Sequence, residues 1–489
     1  MSLKKQAASG VKWTGISAAV TAILQFGQVA VLAHILSPSD FGLMGMLLVV
    51  IGFAQAFADM GVSNAIIHRQ DATREQLSSL YWLNVLSGIA VFGVVWASTP
   101  LIVRFYHEPR LARLVFWVAL TFLIAPIGQQ FQILLQKDLR FRGLAAVEVA
   151  STAAGVAISI AAALVGQGVF ALIWGQLTNT AARAVMLAAV GWRIWPPELR
   201  LRREDLRGYL SFGLYQMGER SINYFSSNVD YLLIGHFLGS RALGIYMVAY
   251  QIVVVPMARI NPILTRVAFP IFAKRQSNNA TLRRGYVEMT ELVALLVAPI
   301  LTGLGVAAPL VIPLFFGERW GEAIPLVQIL SVLGVLKALG NPSGPILLAK
   351  GRADIGFKWN VFVAATNTVA FWFAAPHGVY AVALSYIGTS CVYFVLLRAI
   401  LGKVIGLGWA EYLTALVRPL LISAIMGSVT FGIYALLARV SSGLLLLVEL
   451  AATGIVVLAL LSAILERDFL TEAWGLLAHK REEPGQCQG

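Results

Sequence analysis

The chain has 489 residues, 58% of them hydrophobic and only 12% charged, with a mean hydropathy of +0.77. A soluble protein of this length would carry about 25% charged residues, so lipid is the solvent for most of its surface. The net charge of +13 does not signal nucleic acid, because Lys and Arg sit in short connectors between apolar stretches, as the positive-inside rule requires.

At about 20 residues per span, the apolar stretches predict an all-α polytopic membrane protein with about 14 transmembrane helices. Six are expected near 11–34, 41–62, 78–99, 113–135, 144–166 and 168–192. Basic residues precede the first of them as in a signal peptide, but the run from Val11 to Leu36 is longer than a signal core and reads as an uncleaved span. The connector "RIWPPELRLRREDLRG" (Arg193 to Gly208) follows. Its Pro196–Pro197 pair stops the preceding helix, and its alternating Leu and Arg suit an interfacial helix. Six more spans fall near 209–236, 243–265, 286–315, 323–348, 355–375 and 378–401, and two near 412–437 and 442–465. The expected organisation is therefore an N-terminal lobe (1–192), the connector (193–208), a C-terminal lobe (209–403), two added helices (404–465) and a tail (466–489). Alternate connectors hold the larger share of the basic residues, which places both termini in the cytoplasm. Cys391 lies inside a span and Cys487 in the tail, a pair that suggests neither a disulfide framework nor a metal site.

The two lobes read as copies. Aligned at an offset of 202, "AHILSPSDFGLMGM" meets "GHFLGSRALGIYMV", so that His34 falls on His236 and Gly42 on Gly244. At the same offset Thr14, Ser17, Thr21, Gln25 and Gln28 fall on Gln216, Glu219, Asn223, Ser227 and Asp230. With six spans each, the copies are related by an axis along the membrane normal. On a helix these polar positions, with Arg220, form a stripe about 100° wide. A charge facing lipid at mid-depth costs about 2.5–3.5 kcal/mol even on the lenient scale. The stripe is therefore expected to face either a central wet cavity or tightly paired groups.

Arg183, Arg220, Arg259 and Lys337 form a cationic set at depth. Together they suggest an anionic cargo, since a guanidinium's planar fork suits phosphate; each alone can also snorkel or pair locally. Pro126, Pro256 and Pro262 interrupt spans, which a membrane helix tolerates where neighbours satisfy the freed carbonyls. There is no G-x-x-x-x-G-K-[ST], H-E-x-x-H, G-x-S-x-G or D-x-D sequence, and the outer loops are short. These absences favour transport over catalysis and call for no cofactor or metal.

"LAHILSPSDFGLMGM", "FADMGVSNAIIHR", "NVDYLLIGHFLGSRALGIYMVAY", "FPIFAK" and "FGERW", in that order over about residues 5–460, resemble the Wzx-type polysaccharide exporters. The likeness is to the colanic-acid and succinoglycan branch of the multidrug/oligosaccharidyl-lipid/polysaccharide superfamily. The resemblance implies a bacterial inner-membrane flippase for undecaprenyl-diphosphate-linked oligosaccharide repeats, working by alternating access. It implies membrane lipid around the protein, H+ or Na+ as coupling ion, and polysaccharide polymerase or export machinery as partners. In that frame Arg220, Arg259, Lys337 and Arg183 attract the diphosphate and acidic sugars. Gln25, Gln28, Gln216 and Asn223 bond sugar hydroxyls, Asp230 and Glu219 either couple ions or hold Arg220, and Asp40 and Asp59 act at gates. The rival readings are a drug or peptidoglycan-precursor exporter of the same superfamily and, from a different class, a membrane-embedded polymerase or ligase.

Overall fold

A computed structural model describes residues 3–58, 66, 72–206, 209–274, 278–438 and 443–465. Among the described residues every regular element is helical: α1 (Leu3–Ile35), α2 (Pro38–Ala58), α3 (Arg74–Ala97), α4 (Thr99–Tyr106), α5 (Leu111–Ala119), α6 (Thr121–Lys137), α7 (Phe141–Leu164) and α8 (Phe170–Ile194), then α9 (Leu210–Lys274), α10 (Asn279–Phe316), α11 (Ala323–Gly340), α12 (Ser343–Ala349), α13 (Ala353–Ala374), α14 (Val379–Ile405), α15 (Trp409–Leu437) and α16 (Gly443–Leu465). This is what lipid dictates, since a helix satisfies its backbone groups within one segment.

Eleven of the described stretches are long and apolar enough to cross a membrane, and the chain is a multi-pass membrane protein. One of them, Arg220–Val254, takes in most of the expected spans 209–236 and 243–265. The two are separated at Gly239, whose φ of 76° and ψ of −174° break α9 in a conformation open to glycine alone. The expected spans at 168–192 and 355–375 are α8 and α13, which have the length but not the hydropathy, because polar residues interrupt them.

The chain forms two compact units. The first comprises Met1–Val248 with Phe315–Gly317 and Asn360–Val382, and the second comprises Ala249–Leu314, Glu318–Trp359 and Ala383–Gly489. Leu210–Val248, which the sequence reading placed with the C-terminal lobe, thus packs in the first unit.

Inside the first unit the two copies of the repeat touch. A Cβ built on Gly42 would lie 1.6 Å from the Ser240 carbonyl oxygen, and one on Gly244 would lie 1.8 Å from that of Pro38. Since Ser240 is the counterpart of Pro38 and Gly244 that of Gly42, the contact is reciprocal, as across a local two-fold axis. Gly45 likewise faces its own counterpart, Met247. These backbones meet because neither glycine carries a side chain.

The connector departs from expectation. Residues 195–202 are not helical, because Pro196 and Pro197 remove donors and push the residue before each toward extended backbone. Side chains of α3 hold this stretch instead. The Trp82 indole donates to the Glu198 carbonyl at 2.8 Å, the Ser79 hydroxyl to Asp205 at 2.7 Å, and Arg200 bridges Glu75 and Asp205 at 2.9 and 3.1 Å.

The core of the second unit includes a stacked pair, Tyr286 and Tyr412, amid Leu282, Leu401, Ile405 and Leu416. In this unit α10, α11, α14 and α15 also flank an apolar cleft of about 650 Å³, lined by Leu301, Val306, Val332, Leu336, Leu413 and Leu420 among others.

Candidate functional site: a polar cavity at membrane depth

Two amphipathic stripes build the site. On α6, Gln129, Gln132 and Gln136 recur at spacings of three and four and share an arc of about 60°. On α8, Gln176, Asn179, Thr180 and Arg183 do the same over about 100°. The apolar positions flanking these stripes, among them Phe131, Ile133, Leu135, Leu177 and Leu187, are buried. The helices close on each other at Gly128, where an added Cβ would come within 2.7 Å of the Ala184 Cα. Beside that contact the long polar side chains cannot interdigitate, and a cavity of about 530 Å³ remains. Gln55 of α2 and Arg220 of α9 complete its lining.

The chemistry is one-sided. Six side-chain amides, one hydroxyl and two guanidinium groups line the cavity, and among the described residues no carboxylate does. Arg183 is half-buried, near the middle of α8, and among the described residues no acidic side chain pairs with it. A polar group sealed from water without a partner costs several kcal/mol, so this cavity holds water or a hydrophilic ligand. Its lining can give hydrogen bonds to an anion and exchange them with hydroxyls, but among the described residues it offers no counter-charge to a cation.

Of the four cations singled out in the sequence, the structure brings Arg183 and Arg220 to this cavity. Lys337 belongs to the second unit, where its ammonium donates to the Tyr250 hydroxyl at 3.1 Å. It also lies 5.3 Å and 4.3 Å from the centroids of the Tyr250 and Tyr386 rings. Phenol faces thus take the place that an anion was expected to fill. The Arg259, Gln216 and Glu219 side chains, and Asp59 altogether, lie outside the described residues.

The polar stripe does not face one wet space along its length. Ser17 and Thr21 are buried: the Ser17 hydroxyl donates to Glu148 of α7 at 3.1 Å, and the Thr21 hydroxyl bonds back to the Ser17 carbonyl at 2.8 Å. Gln25 and Gln28 are half-buried, Asn223 is exposed, and none of these three lines the cavity. Asp230 is 1% exposed and accepts hydrogen bonds from the Tyr246 hydroxyl at 2.9 Å and the Tyr231 N–H at 3.0 Å. Ten residues of helix, about 15 Å, separate it from Arg220, so it does not hold that arginine. Asp40 accepts from the Ser37 N–H at 2.9 Å while the Ser37 hydroxyl accepts from the Asp40 N–H at 3.3 Å. This is a capping box for α2.

Sequence reasoning missed Gln55, Gln129, Gln132, Gln136, Gln176 and Asn179. The signal was there in "GQQFQILLQK" (Gly128 to Lys137) and "GQLTNTAAR" (Gly175 to Arg183), where uncharged amides repeat at helical spacing inside membrane-length stretches.

Residues 31–325 match the model of a family described as polysaccharide biosynthesis protein. The chain belongs to the polysaccharide biosynthesis protein family. The match takes in the whole lining of the polar cavity, from Gln55 to Arg220. Among family relatives, the teichuronic acid biosynthesis protein TuaB of Bacillus subtilis (strain 168) is 39% identical, over 88% of this chain and 90% of its own. The lipopolysaccharide biosynthesis protein WzxC of Escherichia coli (strain K12) is 35% identical, over 86% of each chain. The fold is that of the lipid II flippase MurJ in an inward closed conformation, with a TM-score of 0.76 at 12% identity, covering 93% of this chain and 99% of that one.

Proposed function

We propose that the protein is a flippase that carries a polyprenyl-diphosphate-linked oligosaccharide repeat across the bacterial inner membrane by alternating access, from the cytoplasmic to the outer leaflet. The observation that carries this reading is the cavity in which Arg183 and Arg220 stand among six amides with, among the described residues, no carboxylate. Guanidinium groups bind diphosphate oxygens two at a time, and amides, which both donate and accept, match sugar hydroxyls. The apolar cleft of about 650 Å³ in the second unit offers the polyprenyl chain a hydrocarbon-like wall. Relatives named for teichuronic acid and lipopolysaccharide biosynthesis agree with a glycan cargo.

The same chemistry weighs against a drug exporter, since a cationic drug entering this cavity would meet two arginines and, among the described residues, no counter-charge. The reading assigns the chain no catalytic step. It places both termini in the cytoplasm, where the basic connectors lie, and makes a polysaccharide polymerase the next user of the flipped repeat.

The test is genetic. Arg183→Gln and Arg220→Gln, each shown by fractionation to insert normally, are expected to stop polymer export and to leave lipid-linked repeats in the cytoplasmic leaflet. Normal export from both variants overturns the reading, and repeats accumulating in the outer leaflet instead would point to a polymerase.

A further inference from the structure

The two kinds of group in the cavity suggest a division of labour. The arginines recognise charge, which every diphosphate-linked lipid carries, and so cannot distinguish one sugar repeat from another. The amides can. Gln129, Gln132 and Gln136 extend along α6 for about 10 Å, opposite Gln176 and Asn179 of α8 across the same cavity. Each amide has two donors and an acceptor in a fixed plane. Among the described residues, the side chains of Gln132, Gln136, Gln176 and Asn179 make no hydrogen bond to protein. Side chains retained for packing in a membrane interior normally bond a neighbour's backbone, as Gln130, one position from the ladder, does to the Leu77 carbonyl at 2.7 Å. Gln132 and Gln136 keep their bonding capacity for the cavity they line. Among the described residues no aromatic ring lines it, so a sugar is read there by its hydroxyl pattern rather than by stacking of its apolar face.

We infer that the α6 ladder, centred on Gln132 and Gln136, is the sugar-selecting element of the carrier: it reads the hydroxyl pattern of the saccharide while Arg183 and Arg220 hold the charge. This rests on the flippase reading above and goes beyond it by separating selectivity from affinity. A mismatched sugar leaves desolvated amides unpaired, and discrimination by unpaired groups exceeds what shape alone supplies.

The experiment uses the full chain in lipid nanodiscs and three probes: undecaprenyl diphosphate bare, bearing a neutral hexose, and bearing a hexuronic acid. Binding of each is measured for the natural chain, for Gln132→Leu/Gln136→Leu, for the conservative Gln132→Asn, and for Arg183→Gln. The natural chain is expected to bind at least one glycosylated probe more tightly than the bare one. The double leucine variant is expected to lose about tenfold of that preference, as two hydrogen bonds to neutral groups would give. Gln132→Asn should keep part of it and reorder the two sugars, and Arg183→Gln should weaken all three probes together. The inference fails if the natural chain binds bare and glycosylated lipid alike, or if the leucine variant weakens all three equally while its thermal unfolding midpoint is unchanged. Should the natural chain bind none of the probes, the flippase reading itself falls.

Discussion

The polar cavity of the first unit and the apolar cleft of the second are built in the same way and lined in opposite ways. Each is a gap among packed helices, about 530 Å³ in one case and about 650 Å³ in the other. Around the first stand amides and guanidinium groups; around the second, mainly Leu, Val and Phe, with Thr302, Gln328, Ser331 and Tyr434 as the described polar exceptions. Helix packing alone therefore does not decide what such a gap holds. The residue type at every third or fourth position does, and one chain supplies both a water-like and an oil-like compartment, as an amphipathic cargo requires.

Exchanging the chemistry of the two compartments should have the largest effect. Arg183→Glu replaces the two charge-assisted hydrogen bonds that the proposed function gives this guanidinium on a diphosphate, at about 1.5–3 kcal/mol each, with repulsion, so polymer export in a complementation assay should fall by a factor of about 100 or more. In the cleft, Val332→Lys puts a charge among hydrocarbon at about 2.5–3.5 kcal/mol. Export should drop, and the thermal midpoint in nanodiscs should drop with it; the Arg183 variant should leave that midpoint nearly unchanged. That split between function and stability is what separates a binding wall from a packed one.

Smaller perturbations test the walls. Gly128→Val forces α6 from α8 and should cost about 1–3 kcal/mol through overpacking, lowering the unfolding midpoint and the ligand-induced shift together. The smallest effect concerns the connector. The Ser79 hydroxyl, and secondly Arg200, hold the Asp205 carboxyl below the usual aspartate range. The folded state thus takes up this proton less readily than the unfolded state. The linked stability is present near neutral pH and is lost as pH falls below the ordinary aspartate value of about 3.9. Asp205→Asn should lower the neutral plateau of the midpoint-against-pH curve by about a degree or two, as an exposed pair gives, and flatten its acid limb.

Much of the fold was legible because lipid reduces the choice to apolar helices. The positions of α1, α2 and α15 followed from runs of Leu, Val, Ile and Ala, and the repeat from His34, Gly42 and their counterparts. Two of the cavity's nine polar residues, Arg183 and Arg220, were found by looking for charge at depth. The amides escaped because a glutamine in a membrane helix carries no charge to draw attention, and its significance appears only when two stripes face each other. The surroundings of Asp230 and Lys337 escaped for a related reason. Their partners, Tyr246 and Tyr250 with Tyr386, lie 16, 87 and 49 positions away, and no periodicity of one helix announces them. The connector failed because its Leu–Arg alternation outweighed the local veto of two prolines.

The glycines at 42 and 244 bear on how the gene's history stayed visible. Where an ancestral segment meets its own duplicate, a larger side chain on either partner collides with the other's backbone, so neither position is at liberty to wander. The kinship of the halves is therefore best preserved in the letters around the spot where they press together.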